Sequence, residues 1–161
     1  MALVPTTSTQ RDSELDYQNK KQGIYDGGLR CAYAKYTCTT AGVGTIDLLT
    51  LPPGRIMIHN DISRILSSDD FVTNADLHLG HAAYVNQAGT AVVADDNEWF
   101  DNEDCGGGAI DKAFGAGVIT TPISEYNSQG GILVQAMVDT ANVSIGATIE
   151  VLIYYTKEGS A

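Results

Sequence analysis

The chain has few charged side chains, and basic ones are the scarcest. Charged residues make up 18% of its 161 residues, below the quarter or so that is usual for a globular protein. We therefore expect neighbouring chains to cover part of its exterior. Nine Lys and Arg residues oppose 20 Asp and Glu residues, which gives a formal net charge of −11 at pH 7. Because phosphate backbones and anionic lipids repel such a chain, its charge disfavours nucleic acid and membranes as partners.

Long apolar runs are also missing. Residues 1–18 contain no hydrophobic stretch of the length that a secretory signal needs, and no later run is long enough to span a bilayer. The sequence therefore predicts a protein that is made in a cytoplasm and stays soluble. Its length corresponds to about one domain.

Cysteine is scarce, and its three copies fit no metal or redox spacing. Cys31 and Cys38 are seven residues apart, so on one strand they would face opposite sides and could not form a disulfide. Cys105 lies in a glycine-rich stretch. The favoured interpretation is three reduced thiols without a special role.

The motifs of catalysis and phosphate binding are absent from the sequence. It contains no G-x-S-x-G, and Cys105 has no setting that would mark it as a nucleophile. The glycines near 106–108 and 115–117 lack the lysine of a phosphate-binding loop. Aromatic residues are few and are not interleaved with basic ones, which disfavours a stacking platform for single strands. We expect a protein that is not an enzyme and that holds no cofactor.

Two groups of side chains are candidate metal ligands, and an ordinary structural role is favoured for both. His78 and His81 are three residues apart in a predicted strand, where they would face opposite sides. The second group is acidic and falls within ten residues: Asp95, Asp96, Glu98, Asp101, Glu103 and Asp104. It offers oxygens for calcium but lacks the EF-hand positions of glycine and glutamate. No metal is predicted, although calcium remains an alternative for the acidic group.

Strand patterning is abundant, most clearly near the end of the chain. Residues 132–138 and 149–155 alternate with a period of two and are rich in β-branched and aromatic side chains. This pattern predicts two adjacent strands. Their second face is partly apolar as well, through Leu133, Met137, Leu152 and Tyr154. We expect that face to meet another layer or another protein chain.

Shorter segments with the same alternation precede this pair. They predict strands at residues 29–39, 45–51, 55–60 with a continuation at 62–66, 75–85 and 118–123. Pro52, Pro53 and Gly54 predict a tight turn, and Gly80 is a candidate β-bulge. Residues 96–103 predict one short helix that begins at an Asp or Asn cap and ends before three glycines. Six to eight strands with little helix predict an all-β fold, a β-sandwich of jelly-roll type.

The first 28 residues are mostly polar and are predicted to form an extended N-terminal arm, with the sandwich domain at 29–161. Tyr17, Ile24 and Tyr25 are the candidate partner-binding anchors, which would become ordered against another protein. A frayed terminus without a partner is an equally weighted alternative.

Several short segments of this sequence resemble, in their order and spacing, virion structural proteins of tailed bacteriophages. These segments are TIDLLTLPPGRIMI at 45–58, SRI at 63–65, LHLGHAAY at 77–84, SQGGI at 128–132 and GATIEVLIY at 146–154. The resemblance spans roughly residues 24–155 and brings no catalytic residues with it. The acidic stretch around Trp99 and the three glycines after Cys105 depart from it, as does the length of the arm.

The resemblance implies a capsid module, and we expect a head decoration or cement protein located in the virion and assembled in the host cytoplasm. Its partners would be the major capsid protein lattice and itself, as a homodimer or homotrimer, since lattice sites favour closed symmetry. One alternative is a tail, collar or fibre component on the same fold. The other is a calcium- or carbohydrate-binding β-sandwich module.

Overall fold

The computed structural model describes residues 28–68, 71, 74–104, 108–115 and 121–158, with the backbone alone for residues 102–104. The regular secondary structure in these ranges consists of β-strands alone. The described residues therefore contain no helix that is long and apolar enough to cross a membrane. The strands are β1 (Leu29–Thr37), β2 (Gly42–Leu51), β3 (Gly54–His59), β4 (Arg64–Ser67), β5 (Asp76–His81), β6 (Tyr84–Val85), β7 (Ala91–Val92), β8 (Asp95–Asp104), β9 (Asp111–Ala113), β10 (Ile123–Ser128), β11 (Ile132–Val143) and β12 (Thr148–Lys157).

These strands form two antiparallel sheets that make a β-sandwich. One sheet has six strands in the order β10-β3-β12-β4-β9, and β1 pairs with the other edge of β12. The second sheet has four strands in the order β2-β11-β5-β8. The short strands β6 and β7 form a separate hairpin. The all-β sandwich expected from the sequence is therefore confirmed.

The core lies between the two sheets because the alternating side chains of each sheet point inward. Ile149, Val151 and Ile153 of β12 are completely buried, as are Val134 and Ala136 of β11. Burial of a valine or isoleucine side chain contributes roughly 1.5–3 kcal/mol relative to exposure. The two alternating segments at 132–138 and 149–155 are thus real strands.

The two strands are adjacent in sequence but do not pair with each other, since β11 belongs to the four-stranded sheet and β12 to the six-stranded sheet. The chain crosses between layers at Gly146 and Ala147, where Gly146 adopts a φ of 95°. Backbone hydrogen bonds join Gly146 N to Cys38 O and Cys38 N to Ala147 O. Cys38 lies on the connection from β1 to β2, so these hydrogen bonds join that crossing between the sheets to the crossing from β11 to β12.

The short helix predicted at residues 96–103 is wrong, because this segment lies within strand β8. Its backbone pairs with β5, for example Phe100 with Leu79 and Asp95 with His81. Trp99 and Phe100 are both completely buried. Pairing with a neighbouring strand and burial of two large aromatic side chains override the local preference for a helix cap that the acidic residues express.

Gly80 is not the extra residue of a bulge, although the ladder beside it is irregular. The register of β5 with β8 shifts on both sides of Leu79, and the additional residues are on β8. A Cβ atom on Gly80 would lie 1.9 Å from the backbone oxygen of Asp95. Glycine is required here because the backbone of β8 approaches closely. Close approach of another backbone is, besides a bulge, a common reason for glycine within a strand.

The strands predicted at 29–39, 45–51, 55–60 and 62–66 are present with changed boundaries, and the segment 75–85 divides into β5 and β6. Of the strand predicted at 118–123, residues 118–120 lie outside the described residues, and β10 begins only at Ile123. Twelve strands are described where the sequence predicts six to eight. β6, β7 and β9 have two or three residues and carry too little alternation to be recognised, and β8 was predicted as a helix.

Candidate functional site

The predicted anchors Tyr17, Ile24 and Tyr25 lie outside the described residues, as does Cys105. Their roles therefore remain predictions. The surfaces of the two sheets are described in detail, and they differ in charge.

Charge is divided unequally between the two sheets. All the Lys and Arg residues of the described ranges lie in strands of the six-stranded sheet: Arg30, Lys35, Arg55, Arg64, Lys112 and Lys157. The strands of the four-stranded sheet contain no Lys or Arg but nine acidic residues: Asp47, Asp76, Asp95, Asp96, Glu98, Asp101, Glu103, Asp104 and Asp139. The uncompensated part of the negative charge in the described strands is therefore carried by the four-stranded sheet.

His78 and His81 point to opposite sides of β5, as the sequence predicts. His78 lies among the acidic residues, with Nδ1 2.9 Å from Asp101 Oδ1 and Nε2 3.3 Å from Asp139 Oδ1. Over the ranges that the structure describes, no group of three or more His, Cys, Asp or Glu side chains is arranged to hold a metal ion. The imidazole of His78 serves to bridge two strands, because Asp101 is on β8 and Asp139 is on β11.

His81 points inward, into an aromatic cluster that joins the two sheets. Its ring lies 5.7 Å from the ring of Trp99 on β8 and 6.2 Å from that of Tyr126 on β10. Trp99 Nε1 donates a hydrogen bond of 2.7 Å to the Tyr126 hydroxyl, which donates one of 2.7 Å to Glu98. Burial, and then the hydrogen bond to Glu98, raises the pKa of Tyr126. This hydroxyl stays protonated and acts as a fixed link between layers.

Neither described cysteine is activated as a nucleophile. Burial raises the pKa of the Cys38 thiol to about 11, and burial also raises the pKa of Cys31. A thiol with a raised pKa has little thiolate near neutrality, and the thiolate is the reactive form. Both are free, with Cys38 buried and Cys31 half-buried on the outside of its sheet, which confirms that they do not pair.

The described pockets are shallow and do not gather reactive groups. One of 470 Å³ is lined by Thr50, Tyr84, Val85, Gln129 and Leu133, together with alanine and glycine. Another, of 330 Å³, includes the carboxylates of Asp111 and Glu150, but each is already in an ion pair. Neither arrangement provides a nucleophile with a neighbouring base.

The outward side of the six-stranded sheet, which we call the outer six-stranded face, is partly apolar. Cross-strand pairs place Tyr33 beside Leu152 and Cys31 beside Tyr154. The face carries six half-buried apolar side chains: Cys31, Tyr33, Met57, Leu66, Leu152 and Tyr154. Tyrosine, methionine and arginine are enriched in protein–protein interfaces, whereas unpaired charges are depleted from their centres.

The cations on the outward positions of this face are each paired with a carboxylate. Lys35 Nζ lies 2.7 Å from Glu150, and Arg64 Nε lies 2.6 Å from Asp111. Arg55 contacts Glu125 through two nitrogens, at 2.6 and 2.7 Å, and Glu158 through a third, at 2.6 Å. This face therefore presents apolar side chains between ion pairs, with one carboxylate in excess where Glu125 and Glu158 share Arg55.

Glu150 provides a test of these pairs through the pH dependence of stability. Hydrogen bonds from Lys35 and then from Tyr33 hold its pKa below its usual value of 4.5. A carboxyl group whose pKa is lowered by folding stabilises the protein above its unfolded pKa, and this contribution is lost as the pH falls through the folded pKa. We expect Glu150→Gln to lower the free energy of unfolding by about 0.5–1 kcal/mol near neutral pH.

Urea unfolding of the wild type and of Glu150→Gln at neutral pH and at about pH 3 measures this difference. The difference should shrink towards zero at the acidic pH. The control Asp61→Asn removes one negative charge at an exposed turn and should have little effect at either pH. A Glu150→Gln effect of the same size at both values would contradict the assignment of the ion pair.

Comparison with known proteins gives a fold and no sequence family. No protein-family model and no curated protein matches the chain. Among solved structures, a chain in the capsid of Ralstonia phage GP4 is similar, with a TM-score of 0.57 and 18% identity over 88% of this chain and 93% of that chain.

Two further structures are similar at lower TM-scores. For the cyanophage Pam1 capsid asymmetric unit the TM-score is 0.49, with 16% identity over 85% of this chain and 89% of that chain. For the capsid of the Helicobacter pylori bacteriophage KHP30 it is 0.48, with 16% identity over 84% and 92%. The GP4 likeness shows that this β-sandwich shares its fold with a chain of a phage capsid.

Proposed function

We propose that this chain is a non-enzymatic structural component of a bacteriophage virion, located in the capsid. Within the capsid, it is a decoration or cement protein that binds between neighbouring major capsid protein subunits and stabilises the head. The observation that carries the proposal is the likeness to the GP4 capsid chain, which covers nearly the whole length of both chains. The sequence resemblance to virion structural proteins of tailed phages supports the same role.

The strand order supports a jelly-roll connection for this module. Without the short strands β6 and β7 and without β3 and β10, eight strands remain. They form the orders β1-β12-β4-β9 and β2-β11-β5-β8. Consecutive strands change sheet at every step except from β5 to β8. Such alternation is what two interlocked Greek keys in a double-sheet jelly roll require, and jelly rolls are common in viral capsid proteins.

The chemistry of the described side chains supports a structural role rather than catalysis. The Tyr126 hydroxyl and both thiols have raised pKa values that keep them protonated near neutrality. The carboxylates of Glu150 and Asp111 are neutralised by neighbouring cations. Ionisable groups are used here to hold strands together.

A protein that binds only the assembled shell stabilises the shell by linkage. The stabilisation is RT ln(1 + [L]/Kd), which is about 2.7 kcal/mol per site when the free concentration is a hundred times Kd. Self-association as a dimer or trimer adds avidity, because the second contact of an oligomer becomes intramolecular. The large negative charge keeps decorated particles dispersed.

The arm, residues 1–28, is the proposed shell-binding segment, and its anchors are Tyr17, Ile24 and Tyr25. Shells assembled without this protein are mixed with purified chain and pelleted, and the bound fraction is measured against free concentration. We expect replacement of all three anchors by alanine to weaken shell binding about 100-fold, because a few buried aromatic and aliphatic side chains carry most of the energy of an interface.

A matched control replaces Leu3, Val4 and Leu15 by alanine, which removes three other apolar side chains from the arm. This control should bind within about threefold of the wild type, since peripheral contacts contribute little. Equal binding by the anchor variant and the wild type would contradict the role of the arm. Failure of the wild-type chain to bind shells at all would contradict the proposed function.

A further inference from the structure

Each cation on the outward positions of the outer six-stranded face can be buried together with a carboxylate partner. Lys35, Arg55 and Arg64 each have a carboxylate partner within the sheet or directly after it. Burial of an unpaired charge in an interface is strongly unfavourable, whereas the attraction within a retained ion pair offsets part of the cost of desolvation. Leu152 lies at the centre of the face, between Tyr33 and the paired cation Arg64 on the two neighbouring strands.

The outward side of the four-stranded sheet lacks this property. Asp47, Asp76, Asp101 and Asp139 are on its strands, and none of them has a Lys or Arg in the sheet. Their hydrogen-bond partners are Gln135, Thr140 and His78. Two copies of the chain that approached through these acidic faces would place uncompensated carboxylates against each other.

The charge distribution therefore selects one arrangement of two copies. If the outer six-stranded faces pack together, four sheets are stacked at about 10 Å spacing, and the acidic sheets lie about 30 Å apart at the two ends. This separation is more than three Debye lengths at physiological ionic strength, so the repulsion is screened. The outer six-stranded face suits contact with a second copy of itself, because each of its cations is paired and only one carboxylate, beside Arg55, is in excess.

We infer that a second copy of this chain packs against the outer six-stranded face through a twofold axis, with Leu152 near the centre of the contact. A twofold contact is isologous, so the same residues of both copies form it. The inference deepens the self-association part of the proposed function and rests on it, but it does not require shell binding. It names the surface and assigns a dimer rather than a trimer.

Sedimentation equilibrium of the purified full-length chain, without shells, tests the inference. We expect a species of twice the 17.1 kDa chain mass at high concentration. Leu152→Lys should raise the dimer dissociation constant about 100-fold or more, because the axis brings two added charges into an apolar centre. Higher salt should leave the dimer unchanged or strengthen it, since salt screens the repulsion between the acidic sheets and between the excess carboxylates beside Arg55.

The matched control is Met137→Lys, which places the same side chain at a half-buried outward position in the middle of the four-stranded sheet. It should dimerise like the wild type. A second readout is alkylation of Cys31, which is on the contact face and should react more slowly as the wild-type concentration rises, but not in Leu152→Lys.

Four results would overturn the inference: a monomer at every concentration, a trimer, loss of association in Met137→Lys with retention in Leu152→Lys, or dissociation by salt. A monomer that still binds shells would assign the face to the capsid lattice or to the arm and would leave the proposed function intact. A dimer that does not bind shells would contradict the proposed function alone.

Discussion

Gly80→Ala is expected to destabilise the sandwich by about 3–5 kcal/mol, at the upper end of single substitutions. The added Cβ would lie 1.9 Å from the carbonyl oxygen of Asp95, 2.8 Å from the carbonyl carbon of Asp95 and 2.7 Å from that of Asp96. All three contacts are with backbone atoms, so no side-chain rotation relieves them. β8 would have to move away from β5, and its pairing with Leu79 and His81 would be lost.

Urea unfolding followed by fluorescence of the single tryptophan measures this effect in the wild type and the variant. Gly130→Ala is the matched control, because no atom lies within 4 Å of its Cβ position. Restricting the unfolded chain at such an open site should leave stability unchanged or raise it by about 0.4–1 kcal/mol. A Gly80→Ala variant as stable as Gly130→Ala would show that β8 does not pass over Gly80.

Trp99→Ala is expected to lower the free energy of unfolding by about 3–5 kcal/mol, the usual range for a buried aromatic residue replaced by alanine. Trp99 is completely buried and stacks on Phe114 with ring centroids 5.9 Å apart. Its indole nitrogen is also the donor to Tyr126, so the substitution leaves a cavity and removes a hydrogen bond between the two sheets. A domain of ordinary stability, 5–15 kcal/mol, would lose a large part of its margin.

Circular dichroism is the measurement for this variant, because the substitution removes the fluorescent residue. The control Ile145→Ala also truncates a large apolar side chain, but this residue is 69% exposed and should change stability by less than about 0.5 kcal/mol. Similar unfolding midpoints for Trp99→Ala and Ile145→Ala would mean that the aromatic cluster does not join the sheets.

The strands that could be predicted from the sequence are those that bury one face and are long enough for the alternation of apolar residues to be recognised. β11 and β12 have this property, since Ile132, Val134, Ile149 and Val151 alternate with less buried residues. Which strand pairs with which could not be predicted, because alternation reports the faces of a strand and not its edges. At Gly146 the chain passes from the four-stranded to the six-stranded sheet, so β11 and β12 do not form a hairpin although they are consecutive in the sequence.

The error at β8 has a different origin. Its acidic residues are good helix-capping types, and the apolar pair Trp99 and Phe100 gives no period of two. The irregular register against β5 allows both aromatic side chains to be buried, and a register of that kind is set by tertiary contacts. The sequence offered only the local preference for a helix cap, and in the fold this preference is weaker than the tertiary contacts of β8.

Only part of the evidence for the outer six-stranded face as an interaction surface could be obtained from the sequence. The apolar second-face residues Leu152 and Tyr154 indicated a covered surface. The division of charge between the sheets needed the strand order, since Lys35 and Glu150 are more than a hundred residues apart in sequence and 2.7 Å apart in the fold. The low content of basic residues was visible, but the confinement of those in the described ranges to one sheet was not.

An icosahedral cryo-EM reconstruction of the virion that contains this protein tests most directly whether the chain is a capsid decoration protein. We expect density for the two-sheet sandwich at symmetry-related positions on the head, where each copy contacts more than one major capsid protein subunit. Density for the sandwich on the tail, collar or fibres alone, or a complete head shell with no such density, would contradict it.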